Sequence, residues 1–169
     1  MATTKKKTTK AKSTKTVSAA RRKTAARKTS PRAKGARTAA RGALSMTAVA
    51  PGLTVNDVEK SLAWYRDVLG FAVKDRWEDG GKLLGVEMTA GKTTFMLGQD
   101  DWKKGRDRVK GQGVRVYCTT DQDVDRLAAR IKGAGGTLAQ EPKDEWGMRS
   151  LSIDDPDGYK ITIARKLKR

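Results

Sequence analysis

The sequence contains no histidine and a single cysteine, Cys118. Histidine is the side chain whose unperturbed pKa lies near neutrality and is the commonest metal ligand, so its absence excludes histidine-based acid–base and metal chemistry. A lone cysteine cannot form an intramolecular disulfide, which is typical of a reducing compartment. No run of about 18 apolar residues occurs, so no membrane-spanning helix is predicted.

Acidic residues are missing from one whole block, residues 1–43, which contain 15 of the 37 Lys and Arg and not one Asp or Glu. These cations account for all but three of the formal net charge of +18. After Met1 the only large apolar residue of the block is Val17. Folding could therefore not bury enough apolar area to offset a backbone ordering cost of about 1–2 kcal/mol per residue. We predict that residues 1–43 form a disordered tail.

The tail cations are dispersed along the block and never all line one helical face, which argues against an amphipathic membrane helix. Flexible, dispersed cations suit a polyanion, and on DNA they would bind phosphates without reading the base sequence. The composition, rich in Lys, Ala, Thr and Ser, resembles the tails of linker histones and of bacterial histone-like proteins. The predicted nucleic-acid-binding residues are Lys5, Lys6, Lys7, Lys10, Lys12, Lys15, Arg21, Arg22, Lys23, Arg27, Lys28, Arg32, Lys34, Arg37 and Arg41.

Two other roles of the tail stay open at this point. One is a solubilising extension, and the other is a targeting segment, because transit peptides are also rich in Arg and Ser and poor in acids. The lysine run at residues 5–7 counts against a transit peptide, and the lack of an apolar stretch excludes a secretory signal. With DNA as the partner of the tail, we expect a cytoplasmic protein associated with the nucleoid.

Residues 44–169 have a balanced charge and the length of one domain. Within them, one pattern occurs twice. A short apolar run precedes a capped amphipathic helix, which opens at residues 56–59 in the first copy and at residues 120–123 in the second. The distance from Asp57 to Gly70 equals the distance from Asp123 to Gly136, and a glycine closes each helix. This spacing indicates an internal duplication.

Three further strands are predicted after each helix, so the repeated unit is βαβββ. The first module spans about 47–98 and the second about 113–165, and the polar, aperiodic residues 99–112 are expected to link them. A tight turn is predicted at residues 154–158, where Pro sets φ and Gly accepts a positive φ. The predicted strands are 47–55, 71–77, 83–88 and 93–97, then 113–119, 137–140, 148–153 and 159–164.

Three segments carry a resemblance to a known family: residues 56–62, residues 64–71 with the letters WYRDVLGF, and residues 155–158 with the letters DPDG. Together they resemble the vicinal oxygen chelate superfamily, which includes glyoxalase I, extradiol dioxygenases and bleomycin-resistance proteins. The resemblance covers residues 47–165. It implies an α+β fold in which two βαβββ modules form a cupped mixed sheet, with the helices outside and a ligand inside the cup.

Enzymes of this family hold a divalent metal with His and Glu side chains on the first and last strand of each module. The resemblance places those positions at Ala50, about Thr94, Val114 and Thr162, and none of these residues is a competent ligand. We therefore predict no metal, no cofactor and no catalytic residue. Free cysteine is usually a small buried hydrophobe, and Cys118 has no base to activate it.

Strand alternation predicts which residues line the cup. Small, uncharged residues share one face of the strands, while bulkier residues such as Leu53, Phe95 and Ile161 belong under the helices. Aromatic and methionine side chains at strand ends and in the linker are predicted to stack on a flat ligand. The predicted ligand-binding residues are Thr94, Met96, Val114, Val116, Cys118, Thr162, Trp77, Trp102, Trp146 and Met148.

The hypothesis that these features favour is a metal-free protein that sequesters a planar or cationic small molecule, forms a homodimer and holds DNA through its tail. One alternative is a divergent metal-dependent lyase or isomerase that uses the carboxylates of Glu87, Glu141 or Glu145. The other is a nucleoid architectural protein whose folded domain serves only to dimerise, so that two tails bridge two duplexes.

Overall fold

The structure is a computed structural model that describes residue 44, residues 46–106 and residues 108–168. The chain divides into two units, residues 1–43 and residues 44–169. The predicted tail and all of its DNA-binding residues lie outside the described residues. In the described part of the chain, no helix has the length and apolar character needed to cross a membrane.

The predicted duplication is confirmed, because both halves of the unit follow the order βαβββ. In the first module a π-helical segment, Tyr65–Leu69, continues directly from the α-helix. The first module contains β1 (Gly52–Val55), α1 (Val58–Trp64), β2 (Ala72–Asp79), β3 (Lys82–Ala90) and β4 (Thr93–Gln99). The second contains β5 (Arg115–Thr119), α2 (Val124–Gly133), β6 (Leu138–Glu145), β7 (Met148–Asp154) and β8 (Lys160–Lys166).

The strands form two four-stranded mixed sheets with the same topology, β1-β4-β3-β2 (sheet A) and β5-β8-β7-β6 (sheet B). In each sheet the first strand pairs in parallel with the last strand of its module, and the other pairs are antiparallel. The first strand of each module, β1 or β5, is therefore an edge strand. This arrangement agrees with the α+β fold expected from the sequence.

Both helices begin where the sequence predicts. The Asp57 carboxylate accepts a hydrogen bond from the Lys60 amide at 3.0 Å, and the Asp123 carboxylate accepts bonds from the first-turn amides of α2. Such caps satisfy amides that have no partner inside the helix and stabilise it by about 1 kcal/mol each. Gly70 ends the first helical segment with a φ of 79°, a conformation that disfavours residues with a Cβ.

Several strand boundaries differ from the sequence prediction. The first strand begins at Gly52 rather than at residue 47, and Val49, inside the predicted strand, is 78% exposed. The preceding residues lack a neighbouring strand, and Pro51 has no amide hydrogen to donate. Strands β2 and β6 extend to Asp79 and Glu145 because their hairpin partners continue the ladder to the turns.

The two modules share one apolar core. Buried side chains of both helical segments, including Leu62, Val68 and Ile131, belong to the same cluster as buried residues of both sheets. The backbone approaches closely at Gly136, where an added Cβ would lie 2.6 Å from Val68 Cγ1 and 2.7 Å from Ile131 Cγ2. Glycine is thus required here by packing at the junction between the modules.

Side chains of the second module also satisfy polar groups of the first. The Arg130 guanidinium donates hydrogen bonds to the carbonyls of Val68 and Leu69, at 3.2 and 2.9 Å, near the end of the first helical segment. The fully buried Tyr65 hydroxyl donates to Asp155 Oδ2 at 2.9 Å. These bonds hold the modules in register because the buried polar groups lose them if the modules separate.

Asp155 is the first residue of the predicted DPDG turn, and its other carboxylate oxygen organises that turn. Its Oδ1 accepts bonds from the backbone amides of Asp157 and Tyr159, at 3.0 and 2.8 Å. Burial raises the pKa of the Asp155 carboxyl, while the hydrogen bonds from Tyr159, Tyr65 and Asp157 act in the opposite direction. The turn is therefore organised by the buried carboxylate of Asp155. This carboxylate belongs to the second module, and the Tyr65 hydroxyl of the first module donates one of its hydrogen bonds.

We expect the substitution Tyr65→Phe to lower the free energy of unfolding by about 1–3 kcal/mol, because it removes a buried hydrogen bond to a carboxylate and leaves that oxygen without its donor. Urea denaturation of the full chain, followed by circular dichroism, measures the loss.

The control is Tyr159→Phe, which removes a more exposed hydrogen bond, 3.0 Å long, from the Tyr159 hydroxyl to the neutral carbonyl of Thr54. This control should cost less than Tyr65→Phe. Equal losses in the two variants would show that the Tyr65–Asp155 contact has no special part in joining the modules.

Candidate functional site

Each sheet buries one face in the shared core and leaves the other face open. On β1 the side chains of Leu53 and Val55 are buried while Gly52 and Thr54 are exposed, and on β4 Phe95 is buried in the same alternating pattern. In sheet B the core residues Leu151, Ile153 and Ile161 alternate with Ser150, Ser152 and Thr162. We call the two free surfaces open face A and open face B.

Open face A carries an aromatic side chain over a glycine. Trp77 on β2 pairs with Gly85 on β3, and a Cβ added to Gly85 would lie 2.7 Å from Trp77 Cε3. The indole therefore covers Gly85 directly, and 42% of Trp77 remains exposed. Sequence reasoning selected Trp77 but missed Gly85; a glycine inside a predicted strand was the available signal, since it marks a close approach.

Trp77 forms one side of a shallow groove of about 410 Å³ across open face A. The floor is made of small or flexible residues, so a flat molecule could lie against the indole without meeting a bulky side chain. The lining residues are Gly52, Leu53, Thr54, Trp77, Leu84, Gly85, Met96, Leu97 and Gly98. Thr94 and Met96 lie on this face of β4, as strand alternation predicts, and Met96 contributes to the groove.

Glu87 lies beside Met96 on open face A and is held by a lysine. It is the register partner of Met96, and Lys74 Nζ lies 2.6 Å from Glu87 Oε1. The Glu87 side chain is 20% exposed. This ion pair engages the one carboxylate of sheet A that the sequence suggests for the enzymatic alternative.

On β5, the residues that line open face B are one position away from those that the sequence predicts. In the parallel ladder Tyr117 pairs with Thr162, whereas Val116 and Cys118 pair with Ile161 and Ile163 and pack against the core. The prediction that Val116 and Cys118 line the ligand face is therefore wrong, because strand pairing, not alternation within β5 alone, sets the face. Arg115 and Tyr117 occupy open face B instead.

Val114 lies just before β5 and is 48% exposed. It lines a second groove, of about 730 Å³, together with Arg115, Lys160 and the glycine-rich end of the linker. Cys118 is half-buried, and burial raises the pKa of its thiol, so the thiolate that a nucleophile needs is disfavoured.

Trp102, in the linker, lines neither of the two grooves. The indole lies under two cations, with Arg106 Cζ at 4.7 Å and Lys110 Nζ at 5.1 Å from the ring centroid. Lys110 also contacts Asp100 Oδ2 at 2.7 Å and donates to Asn56 Oδ1 at 2.5 Å. The hydrogen bond from Lys110 holds the pKa of the Asp100 carboxyl well below its usual range. Trp102 is thus part of a structured linker, and we omit it from the proposed site.

The remaining predicted residues, Trp146 and Met148, lie at the far end of sheet B. Trp146 is in the β6–β7 turn with a φ of 53° and is 98% exposed, while Met148 is the half-buried first residue of β7. Neither lines the two grooves described above. The structure therefore brings Trp77 and Met96 together, and places Thr162 on the other sheet and Trp146 and Met148 in a hairpin.

The four positions that the family resemblance assigns to metal ligands do not fit a divalent cation. Ala50 and Val114 have no donor atom, and Thr94 and Thr162 offer only neutral hydroxyls. Arg115 Nη1 lies 3.5 Å from Thr162 Oγ1, so a fixed positive charge already occupies that neighbourhood. Among the described residues, no group of three or more Cys, Asp and Glu side chains could hold a metal.

With the fold and both faces established, the chain can be compared with known proteins. Residues 45–163 match the Glyoxalase/Bleomycin resistance protein/Dioxygenase superfamily, and the chain belongs to this family. A curated relative, the glutathione transferase FosA of Serratia marcescens, is 26% identical over 112 residues, which are 66% of this chain and 74% of the relative.

Solved structures agree on the fold. TnmS3, described as an antibiotic binding protein from a Streptomyces species, is 23% identical with a TM-score of 0.58 and aligns with 73% of this chain and 99% of its own. TioX from a Micromonospora species is 22% identical with a TM-score of 0.59, covering 70% of this chain and 97% of its own. At these identities the likeness establishes the fold alone.

We expect purified protein to carry no stoichiometric divalent metal, because the first and last strands of each module offer neutral or cationic side chains where a metal needs anionic or imidazole donors. Elemental analysis of the dialysed full chain measures the content. One tightly bound Zn, Ni, Mn or Fe per chain would contradict this expectation.

Proposed function

We propose that the protein is a metal-free, small-molecule-binding protein that sequesters its ligand, and that the N-terminal tail binds a polyanion such as DNA. The observation that carries the first part is the Trp77 indole lying over Gly85 in an open, largely apolar groove. An exposed aromatic on a flat floor provides a stacking surface, and the groove has no group poised to react with what binds there.

The three carboxylates considered for the enzymatic alternative are paired with lysines, which supports a metal-free protein. Glu141 contacts Lys132 at 3.1 Å and Glu145 contacts Lys143 at 2.6 Å, as Glu87 contacts Lys74. Glu87 lies on β3 of sheet A while Glu141 and Glu145 lie on β6 of sheet B. Carboxylates that are paired with lysines and spread over two sheets are poorly arranged to share one metal.

The family contains both kinds of protein: the Serratia marcescens relative is named as a transferase, and the Streptomyces structure as an antibiotic binding protein. We assign this chain to the binding class, since the four positions that the family uses for metal ligands carry no anionic or imidazole donor. A planar aromatic compound is the class of ligand that the Trp77 groove fits best.

Dimerisation remains a prediction. Both β1 and β5 are unpaired on one side, and the exposed large apolar residues include Trp77 and Leu84 on open face A and Tyr117 on open face B. A second copy of the chain would cover such surfaces and enclose the ligand, which is the physical reason to expect a homodimer.

We expect planar aromatic compounds to quench the tryptophan fluorescence of the full chain, and the substitution Trp77→Ala to weaken their binding by about tenfold, since stacking contributes about 1–1.5 kcal/mol. The matched control is Trp146→Ala, which removes a fully exposed indole from a turn and should leave the affinity unchanged.

If no aromatic compound, whether neutral, cationic or anionic, changes the emission of the full chain, the binding role fails and the architectural alternative gains. If a bound compound is instead converted with turnover that depends on added metal, the enzymatic alternative replaces the proposal.

The proposal for the tail depends on its charge. With 15 cations and no acid in residues 1–43, engagement of half of them with phosphates gives a log–log salt slope on the order of −6 to −7, with little sequence preference. The rest of the chain has 22 basic and 19 acidic residues and should contribute little. DNA binding by the tail would concentrate the ligand-binding domain on the nucleoid, which is the location that we predict.

Deleting residues 2–43 is expected to abolish DNA binding in electrophoretic shift assays at about 0.1 M salt, where the Debye length is near 10 Å. Replacing all tail Lys and Arg by Gln in the full chain should do the same. A tail of scrambled sequence but identical composition should bind as well as the natural one, because dispersed charge is what binds. Undiminished binding by the deletion variant would show that the tail is not the DNA-binding element.

A further inference from the structure

Arg115 places a positive charge on open face B. It is the first residue of β5, an edge strand, and in the parallel ladder it pairs with Lys160 while Tyr117 pairs with Thr162. The guanidinium extends along this face, where Nη1 donates to Thr162 Oγ1 at 3.5 Å. At that length the bond is weak and leaves the donors of the planar guanidinium group available.

Arg149, on the same sheet, is paired with carboxylates, whereas Arg115 is not. Arg149, on β7, lies 2.6 Å from Asp125 Oδ1 and 2.9 Å from Asp144 Oδ1. Within the described part of the chain, Arg115 takes part in no ion pair. An arginine that lines a groove without a carboxylate partner is a ready acceptor for an anion from solution.

Hydroxyl groups share open face B with this charge. Ser152 Oγ and Thr162 Oγ1 lie 3.1 Å apart, and Thr162 is only 7% exposed, so its hydroxyl is held in place by packing. Tyr117, on the same face as Thr162, is 55% exposed. A guanidinium with neighbouring hydroxyl donors provides both the charge and the directional hydrogen bonds that an oxyanion requires.

One carboxylate, that of Asp157, also lines this groove and is engaged in hydrogen bonds with the first module. Asp157 accepts bonds from the Asn56 amide at 2.8 Å and from Ser61 Oγ at 3.1 Å. Asp154 is the register partner of Lys160, so it faces that lysine across the β7–β8 ladder. Lys160 lines the same groove beside Arg115, so the groove carries two cations that an anionic ligand could contact.

We propose that Arg115, with Thr162, Ser152 and Tyr117, forms a binding site for the oxyanion group, a carboxylate or a phosphate, of a small molecule. The inference rests on the proposed function and names the chemistry of the ligand. The ligand of this protein then has an anionic group that binds at open face B. This differs from the sequence analysis, which suggests a planar or cationic ligand. Arginine binds both groups in a bidentate manner, and its positive charge supplies attraction where the chain offers no metal ligands.

The test uses the isotopically labelled full chain and four small probes: benzoate, phenyl phosphate, benzyl alcohol and benzylamine. Binding is followed by backbone amide shifts at Tyr117 and Thr162, which separates this site from unspecific attraction of anions to the tail. Benzoate or phenyl phosphate should shift these amides and bind at least about tenfold more tightly than the other two, since hydrogen bonds to charged groups contribute about 1.5–3 kcal/mol. The stronger of the two identifies the oxyanion.

The variant Arg115→Gln should lose this preference, with at least about tenfold weaker binding, and Arg115→Lys should retain part of it because the charge remains. The matched control is Arg126→Gln, which removes the same charge from an exposed position on α2 and should bind as the natural chain does. Spectra of the unliganded variants verify that each remains folded.

Unchanged oxyanion binding by Arg115→Gln, or equal binding of benzoate, phenyl phosphate and benzyl alcohol, would overturn the assignment. If only the neutral or cationic probe binds, and does so at Trp77, the oxyanion site fails while the proposed function stands. If none of the four probes, nor any larger planar compound, binds at either open face, both fail.

Discussion

The helices of the two modules pack into one shared apolar core, and this packing determines which face of each sheet is buried. Each four-stranded sheet can bury only one face against that core, so its other face must remain open or find another cover. The close approach at Gly136 and the bonds from Arg130 to the end of the first helix keep the modules joined at this core. The buried Tyr65–Asp155 contact adds a polar bond across the same junction.

The two open faces differ in chemistry although they arise from a duplicated unit. Open face A is largely apolar, with an indole over a glycine and Met96 in the same groove, and its one charged pair described above is Lys74–Glu87. Open face B presents a guanidinium, a phenol and two hydroxyls. A ligand that used both would have a flat apolar part and an anionic part, a combination that a metal-free site can recognise by stacking and charge alone.

Much of the fold could be predicted because its signals are local. The capping Asp57 and Asp123, the glycines that follow each helix and the DPDG turn all act within a few residues, and the structure places them as predicted. The faces of β4 follow from alternation since Phe95 and Leu97 are bulky and Thr94 and Met96 are not. Strand β5 could not be assigned in this way, because Arg115, Val116, Tyr117 and Cys118 give no clear apolar alternation.

The sequence by itself determined the duplication, the caps and turns, the absence of histidine and the separation of a cationic tail from a charge-balanced domain, because each of these depends on composition or on neighbours in the chain. Tertiary structure decided which residues face outward on β5, since the parallel pairing of Tyr117 with Thr162 joins segments 45 residues apart. It also decided that Trp77 lies over Gly85 and that Trp102 packs against linker cations. Contacts of this kind depend on strand register and on the course of the linker, which no local pattern specifies.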